Sequence, residues 1–179
     1  SLSSPLQRLF TFPVVNNPTI LQKHGIAIRP LEKDDFYKGF CQVLAQLTVV
    51  GDIQFSDFDA MFEQIKVRQS SYIIVAEDTQ TQRIVGAGTL ALEQKFIHKC
   101  GTCGHIEDIV VDEGCRGKGV GLVIIEELVK IGDTLRCYKI LLDCSEKNVP
   151  FYRRCGFEKK EIQMVKYLPH NEKIVSSLQ

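Results

Sequence analysis

The chain has 179 residues, 44% of them hydrophobic, and its 22 basic side chains balance 22 acidic ones. That length suits a single domain with a full core, and zero formal net charge supplies no general field to attract nucleic acid or an anionic membrane. No apolar run approaches the ~20 residues of a membrane span, and no apolar signal core follows an N-terminal basic segment, so a soluble, cytosolic protein is expected.

Residues 1–25 contain Pro5, Pro13 and Pro18 without a hydrophobic period, and read as an irregular arm before a domain that begins at Ile26. Residues 26–29 read as a strand. Asp34 or Asp35 stands where it can cap a helix with apolar Phe36, Phe40, Val43, Leu44 and Leu47, ending near Gly51. A second helix over 56–67 would turn Phe58, Met61, Phe62 and Ile65 inward. Strands at 71–76 and 84–92, joined by a polar turn at 77–82, lead by a hairpin turn at Gly101-Thr102 into a strand that bears Glu107. These form an antiparallel meander.

The β-branched run 106–111 ends in a basic, glycine-rich turn, and the helix after it repeats Val120, Ile124, Leu128 and Ile131 at spacings of three to four. Glycines let a backbone approach a phosphate, a helix N-terminus aims free N–H groups at it, and Arg116 and Lys118 add charge. A pyrophosphate fits such a loop. The Walker pattern fails because Gly119 follows Gly117-Lys118, and the dinucleotide pattern fails at Val120-Gly121-Leu122. A strand at 139–144, a short helix at 149–155 and strands near Phe157 and over 162–167 complete the reading, with 168–179 as a loose tail. The fold class is α/β (α+β), without internal repeats.

The seven cysteines, at 41, 100, 103, 115, 137, 144 and 155, are odd in number and scattered through core elements, which fits reduced thiols. His98, Cys100, Cys103 and His105 are four potential zinc ligands within eight residues. Their histidines stand too close to the cysteines for the usual structural zinc spacing. No metal is expected.

The segment Arg116-x-x-Gly119-x-Gly121, followed by Asp143, Asn148, Tyr152 and Gly156-Phe157, resembles the two signatures of the GNAT acetyltransferase superfamily. The resemblance implies a mixed, mostly antiparallel twisted sheet flanked by helices, and acetyl-CoA as cosubstrate. Acetyl transfer to an amine needs a proton acceptor, a place for the oxyanion and a proton for the departing thiolate. Glu107 can orient the ammonium and accept its proton, directly or through water, and Asp108 would face the opposite way in a regular strand. The N–H of Ile109 or Val110 can hold the thioester oxygen where the strand splays from its neighbour. Asp143 can set its carbonyl near the amine, Tyr152 can protonate the thiolate, and Asn148 can bind the pantetheine amides.

Further blocks narrow the resemblance: Leu47-Thr48, Glu93 to His98, Gly104 to Ile109, and Cys137-Tyr138-Lys139 through Asp143-Cys144. Together they are similar to the glucosamine 6-phosphate N-acetyltransferase family, over about residues 26–167. That resemblance implies transfer to the 2-amino group of glucosamine 6-phosphate, a step toward UDP-N-acetylglucosamine, in a homodimer with sugar sites near the subunit interface. By position it implies a sugar phosphate surrounded by Thr48, Lys95, Phe96, Ile97, His98, Glu107, Asp108, Tyr138 and Lys139. It implies a cofactor held by Ile109, Val110, Val111, Gly117, Lys118, Gly119, Val120, Gly121, Leu122, Asn148 and Tyr152, with Arg116 opening the loop and Asp143 at the reaction centre. Lys95, Lys139 and His98 supply the cationic donors that a phosphate monoester requires. The pattern departs at Tyr167, where the family can place arginine; the adjacent Lys166 would face the other way along a strand. Transfer to a protein or polyamine amine, and a silent acyl-CoA-binding module, remain alternatives on the sequence alone.

Overall fold

The computed structural model describes residues 8–11 and 19–168. After a single helical turn α1 (Thr19–Gln22), a five-stranded sheet runs in the order β1 (Ile26–Pro30), β2 (Ser71–Asp78), β3 (Ile84–Gln94), β4 (Thr102–Val111) and β5 (Cys137–Leu142). The first four strands pair antiparallel, and β5 runs parallel to β4. That last pairing needs a crossover, which α5 (Val120–Thr134) supplies. The helices α2 (Phe40–Leu44) and α3 (Phe55–Arg68) lie between β1 and β2 in sequence. No helix among the described residues is long and apolar enough to cross a membrane.

The sheet separates two apolar clusters. On one side Ile74, Ala76, Leu90 and Ile106 meet α5 through Val120, Ile124, Leu128 and Ile131. On the other, Val75, Ala87 and Val110 meet Phe40, Val43, Phe58 and Phe62. Each buried Val, Leu, Ile or Phe among them contributes roughly 1.5–3 kcal/mol. Three of the four residues expected to face inward on α3 do so: Phe58 and Phe62 are buried and Ile65 is partly so, but Met61 is 56% exposed. The arm expected to be irregular is described only in part. Leu9 and Leu21 are buried, and Arg8 pairs with Glu32 at 3.0 Å. Residues 1–7, 12–18 and 169–179 lie outside the described residues.

The helix expected after Asp34 is broken in two. A 3-10 turn, Lys33–Phe36, is followed by Gly39 at φ 95°, and only then by α2. The break frees the Lys38 carbonyl to accept the Ile84 N–H at 2.9 Å, where β3 starts. Asp35 does not cap from outside. It sits in the 3-10 turn, fully buried, accepts the Glu32 N–H at 2.8 Å and binds the Arg29 guanidinium through both oxygens at 2.7 and 2.8 Å.

Two other expectations are corrected. The hairpin reverses through a single turn α4 (Ile97–Cys100), left-handed at His98, Lys99 and Cys100, and Thr102 already belongs to β4. The strand expected over 162–167 does not form: among the described residues, 157–168 has no helix or strand. Contacts to side chains replace strand pairing there, with Lys159 on Glu146 and Gln163 on Asp143.

Candidate active site

The site is built on an interruption of β4. Thr89 pairs with Glu107 and Ala87 with Val110, so Gly88 alone faces both Asp108 and Ile109. This is a β-bulge, and Asp108 adopts φ 53° to make it. The simple alternation expected for Asp108 therefore fails. Its consequence is visible in the core: Ile106 and Val110, an even number of residues apart, pack in opposite clusters. Gly88 is required opposite the bulge, because a Cβ there would lie 2.6 Å from Ile109 Cδ1 and 2.7 Å from Ile124 Cγ2.

Past the bulge β4 loses one neighbour. Its pairing with β5 stops at Ile106 opposite Leu142, whereas its pairing with β3 continues to Val111. The edge of Glu107 to Val111 turned away from β3 thus has no strand beside it among the described residues. Backbone groups of that edge which point away from β3 therefore face the gap between β4 and β5.

The loop that follows β4 is the one in which the sequence places an anion site. Asp112 accepts the Gly114 N–H at 3.0 Å, and Gln46 grips the loop by donating to Asp112 at 2.7 Å and accepting the Glu113 N–H at 3.1 Å. Gly117 and Gly119 have φ 77° and 81°. Space around Gly117 is open, since a Cβ there would meet nothing within 4 Å. Gly119 brings no side chain to cap α5, so the N–H groups of Val120, Gly121 and Leu122 are free for a ligand. Arg116 turns back and donates from Nε to the Val111 carbonyl at 3.2 Å, bracing the loop on β4. Lys118 Nζ lies 4.0 Å from Cys115 Sγ. A Cβ at Gly121 would stand 3.5 Å from both Phe151 and Val111, so the helix start meets α6 (Val149–Arg154) and β4 at one point.

On α6, Tyr152 is half-buried, with the Phe151 and Phe157 rings at 5.0 and 6.4 Å. Burial pushes its phenol above the ordinary tyrosine value, with a smaller effect from Cys144 and Cys155. Asn148 is exposed and stands at the N-cap of α6. Facing the gap, Glu107 Oε1 lies 3.4 Å from His105 Nδ1, and Asp143 Oδ2 lies 3.3 Å from His105 Nε2. Gln163 donates to Asp143 Oδ2 at 2.8 Å.

The family is decided by comparison with known proteins. The model of the Acetyltransferase (GNAT) family matches residues 27–157. A Dictyostelium discoideum protein named Glucosamine 6-phosphate N-acetyltransferase 1 is 50% identical over 153 residues, spanning 84% of this chain and 96% of that one. An Arabidopsis thaliana protein named Glucosamine 6-phosphate N-acetyltransferase is 43% identical over 141 residues, 78% of this chain and 95% of that one. The chain belongs to the GNAT acetyltransferase family, among its glucosamine 6-phosphate N-acetyltransferases. The crystal structure of the Arabidopsis thaliana glucosamine-6-phosphate N-acetyltransferase superposes with a TM-score of 0.78 at 43% identity, covering 79% of this chain and 97% of that one.

Within this GNAT acetyltransferase, the residues expected around the sugar phosphate fall into two groups. Lys95, Phe96, Ile97, His98, Tyr138 and Lys139 gather at the start of β4. The His98 and Tyr138 rings are 4.5 Å apart, Lys139 Nζ is 5.9 Å from the Tyr138 ring, and Lys95 pairs with Glu93 at 2.6 Å. Phe96 is 95% exposed. Thr48 stands two residues beyond Gln46, which grips the loop at the far end of β4. At about 3.3 Å per residue the ends of β4 are on the order of 30 Å apart. One chain therefore does not bring Thr48 to the other group, and Glu107 and Asp108 lie between them.

The zinc ligands weighed in the sequence do not converge. Cys103 is buried, Cys100 is exposed and His98 faces Tyr138. Among the described residues, the one group of three close potential ligands is His105, Glu107 and Asp143. All seven cysteines are free, and burial pushes the Cys41, Cys103, Cys137 and Cys155 thiols up, away from reactive thiolate. The sequence missed two residues of the carboxylate cluster. His105 was visible as the same-face neighbour of Glu107 at i−2, but Gln163 arrives through a loop contact with no local signal.

Proposed function

We propose that the protein transfers the acetyl group of acetyl-CoA to the 2-amino group of D-glucosamine 6-phosphate, giving N-acetyl-D-glucosamine 6-phosphate and CoA. The observation that carries this reading is the splay of β4 from β5 beside an uncapped helix N-terminus, with two carboxylates at the gap, in a chain half identical to a protein of that name. The free N–H groups of α5 with Gly117, Gly119, Arg116 and Lys118 suit the pyrophosphate, and the unpaired edge of β4 suits the pantetheine amides with help from Asn148.

In this mechanism Glu107 accepts the ammonium proton. The freed nitrogen attacks the thioester carbon, the oxygen's charge is met by the N–H of Ile109 or Val110, and the C–S bond breaks. Tyr152 gives its proton to the sulfur. Lys95, His98 and Lys139 provide positive charge for the sugar phosphate. No step needs a metal.

A homodimer is proposed with sugar sites near its interface. Its support is the exposed apolar set Ile162, Met164, Val165, Tyr167 and Leu168, in the segment that contacts Asp143 just after β5. The acetyltransferase domain is taken as 26–167, between an arm and a tail, and a cytoplasmic location is supported by seven unpaired thiols.

The test is thiol release from acetyl-CoA with glucosamine 6-phosphate, glucosamine, spermidine and a lysine peptide as acceptors, with product masses confirmed. Strong preference for the sugar phosphate is expected. Turnover of another amine with none of glucosamine 6-phosphate overturns the acceptor assignment.

A further inference from the structure

His105 has no part in the scheme above, yet it stands between its two carboxylates. We propose that His105 relays the acceptor's proton from Glu107 to Asp143; this rests on the acetyl-transfer reading and supplies its route of deprotonation. The contacts are one to each ring nitrogen: Nδ1 to Glu107 Oε1 at 3.4 Å and Nε2 to Asp143 Oδ2 at 3.3 Å. Ionised carboxylates only accept hydrogen bonds, and a neutral imidazole donates from one nitrogen alone. One of the two contacts is therefore acceptor against acceptor until the ring takes up a proton, which makes both nitrogens donors. The cluster is built to receive a proton at its centre.

A second observation points the same way. Nε2 is shielded from solvent, and although Asp143 Oδ2 is close, the pair lacks the alignment of a hydrogen bond. The neighbour through which Nε2 can lose a proton is thus Asp143, whose side chain is 35% exposed and can pass it to water. Gln163 holds that carboxylate by donating to the same oxygen.

The charged groups around the ring are Glu107 on its own strand, Glu93 on β3 and Asp143 after β5. Lys95 and Lys139 both act on Glu93.

The transfer balances. An N–H bond of the ammonium breaks and leaves its electron pair on nitrogen, while an O–H bond forms on Glu107. That proton passes to Nδ1, the proton on Nε2 passes to Asp143, and Asp143 returns to its carboxylate by giving a proton to water. The ring regains its starting tautomer by exchange with solvent, and no electrons are transferred between groups.

The experiment compares wild type, His105→Gln and His105→Ala in steady-state turnover of glucosamine 6-phosphate, with and without added imidazole. Loss of positioned proton transfer lowers kcat by about 10²-fold in both variants, with KM for both substrates within a factor of about two. Imidazole restores His105→Ala in proportion to its concentration and leaves His105→Gln unchanged, which a merely structural role for the ring would not produce. The relay is overturned if His105→Gln keeps wild-type kcat, or if imidazole fails to restore a folded His105→Ala. Should His105→Ala not fold, His105→Gln decides alone: a large kcat loss at unchanged KM and melting temperature supports the relay, and any other result rejects it. Wild-type protein inert toward glucosamine 6-phosphate would instead defeat the proposed function, a result the variants cannot mimic.

Discussion

Tyr152 and Asp35 show how burial is used for different ends. The Tyr152 phenol is raised by burial, so it keeps its proton through neutral and mildly alkaline pH, the form a general acid needs. The acid form is lost only as pH climbs through the raised value. The alkaline limb of kcat due to Tyr152 therefore lies above the ordinary ~10. Tyr152→Phe is expected to lower kcat about 10²-fold, leave acetyl-CoA affinity intact and remove that limb. Unchanged turnover, with chemistry rate-limiting, rejects the role. Asp35 instead belongs to the framework. Burial works against the Arg29 charge, but the hydrogen bonds it donates to Asp35 and Glu77 outweigh it and raise Arg29 further above the ordinary arginine value. Asp35→Ala strips the buried guanidinium of a bidentate partner, and a loss of about 3–5 kcal/mol is expected in urea unfolding. A loss under 1 kcal/mol would mean that Glu77 and Glu32, the other carboxylates at Arg29, rearrange to compensate.

At the scale of elements, the strands and α5 were legible because their patterns are local. The β-branched run of β4, the three-to-four spacing on α5 and the glycines between them each encode one piece. What was hidden depends on pairing or on a single residue. The bulge at Asp108 follows from Gly88 on the opposite strand, Gly39 splits a helix whose apolar spacing is otherwise sound, and the alternation over 162–167 finds no partner strand among the described residues of one chain. The glycine-rich turn before α5 was readable because its glycines are ones the backbone itself requires, at positive φ. Gly119 holds φ 81° at the N-cap of α5, a conformation that a β-branched residue strains to adopt, and its missing side chain leaves room for an anion. Gly119→Val is expected to weaken CoA binding at least tenfold by calorimetry, an effect of about 1.4 kcal/mol. Normal CoA affinity in the folded variant would reject the pyrophosphate assignment.

At the scale of the whole molecule, assembly and catalysis meet in one short segment. Residues 161–168 expose Ile162, Met164, Val165, Tyr167 and Leu168, an apolar surface that water disfavours. The same segment carries Gln163, whose amide holds Asp143 at 2.8 Å. If a second copy covers these side chains, dimerisation also fixes Gln163, and through it the carboxylate of Asp143 that the proposed mechanism uses. Loss of the partner should then cost activity as well as mass, since small displacements of a positioned group lower rates steeply. Met164→Asp with Val165→Asp puts two charges into the covered face without touching Gln163. Sedimentation should show wild type as a dimer at micromolar concentration and the double variant as a monomer, with kcat lowered about tenfold or more. Wild-type specific activity should fall on dilution through the same concentration range in which the dimer dissociates. A monomeric double variant with full kcat would separate assembly from catalysis and leave the Gln163 contact as a property of each chain alone.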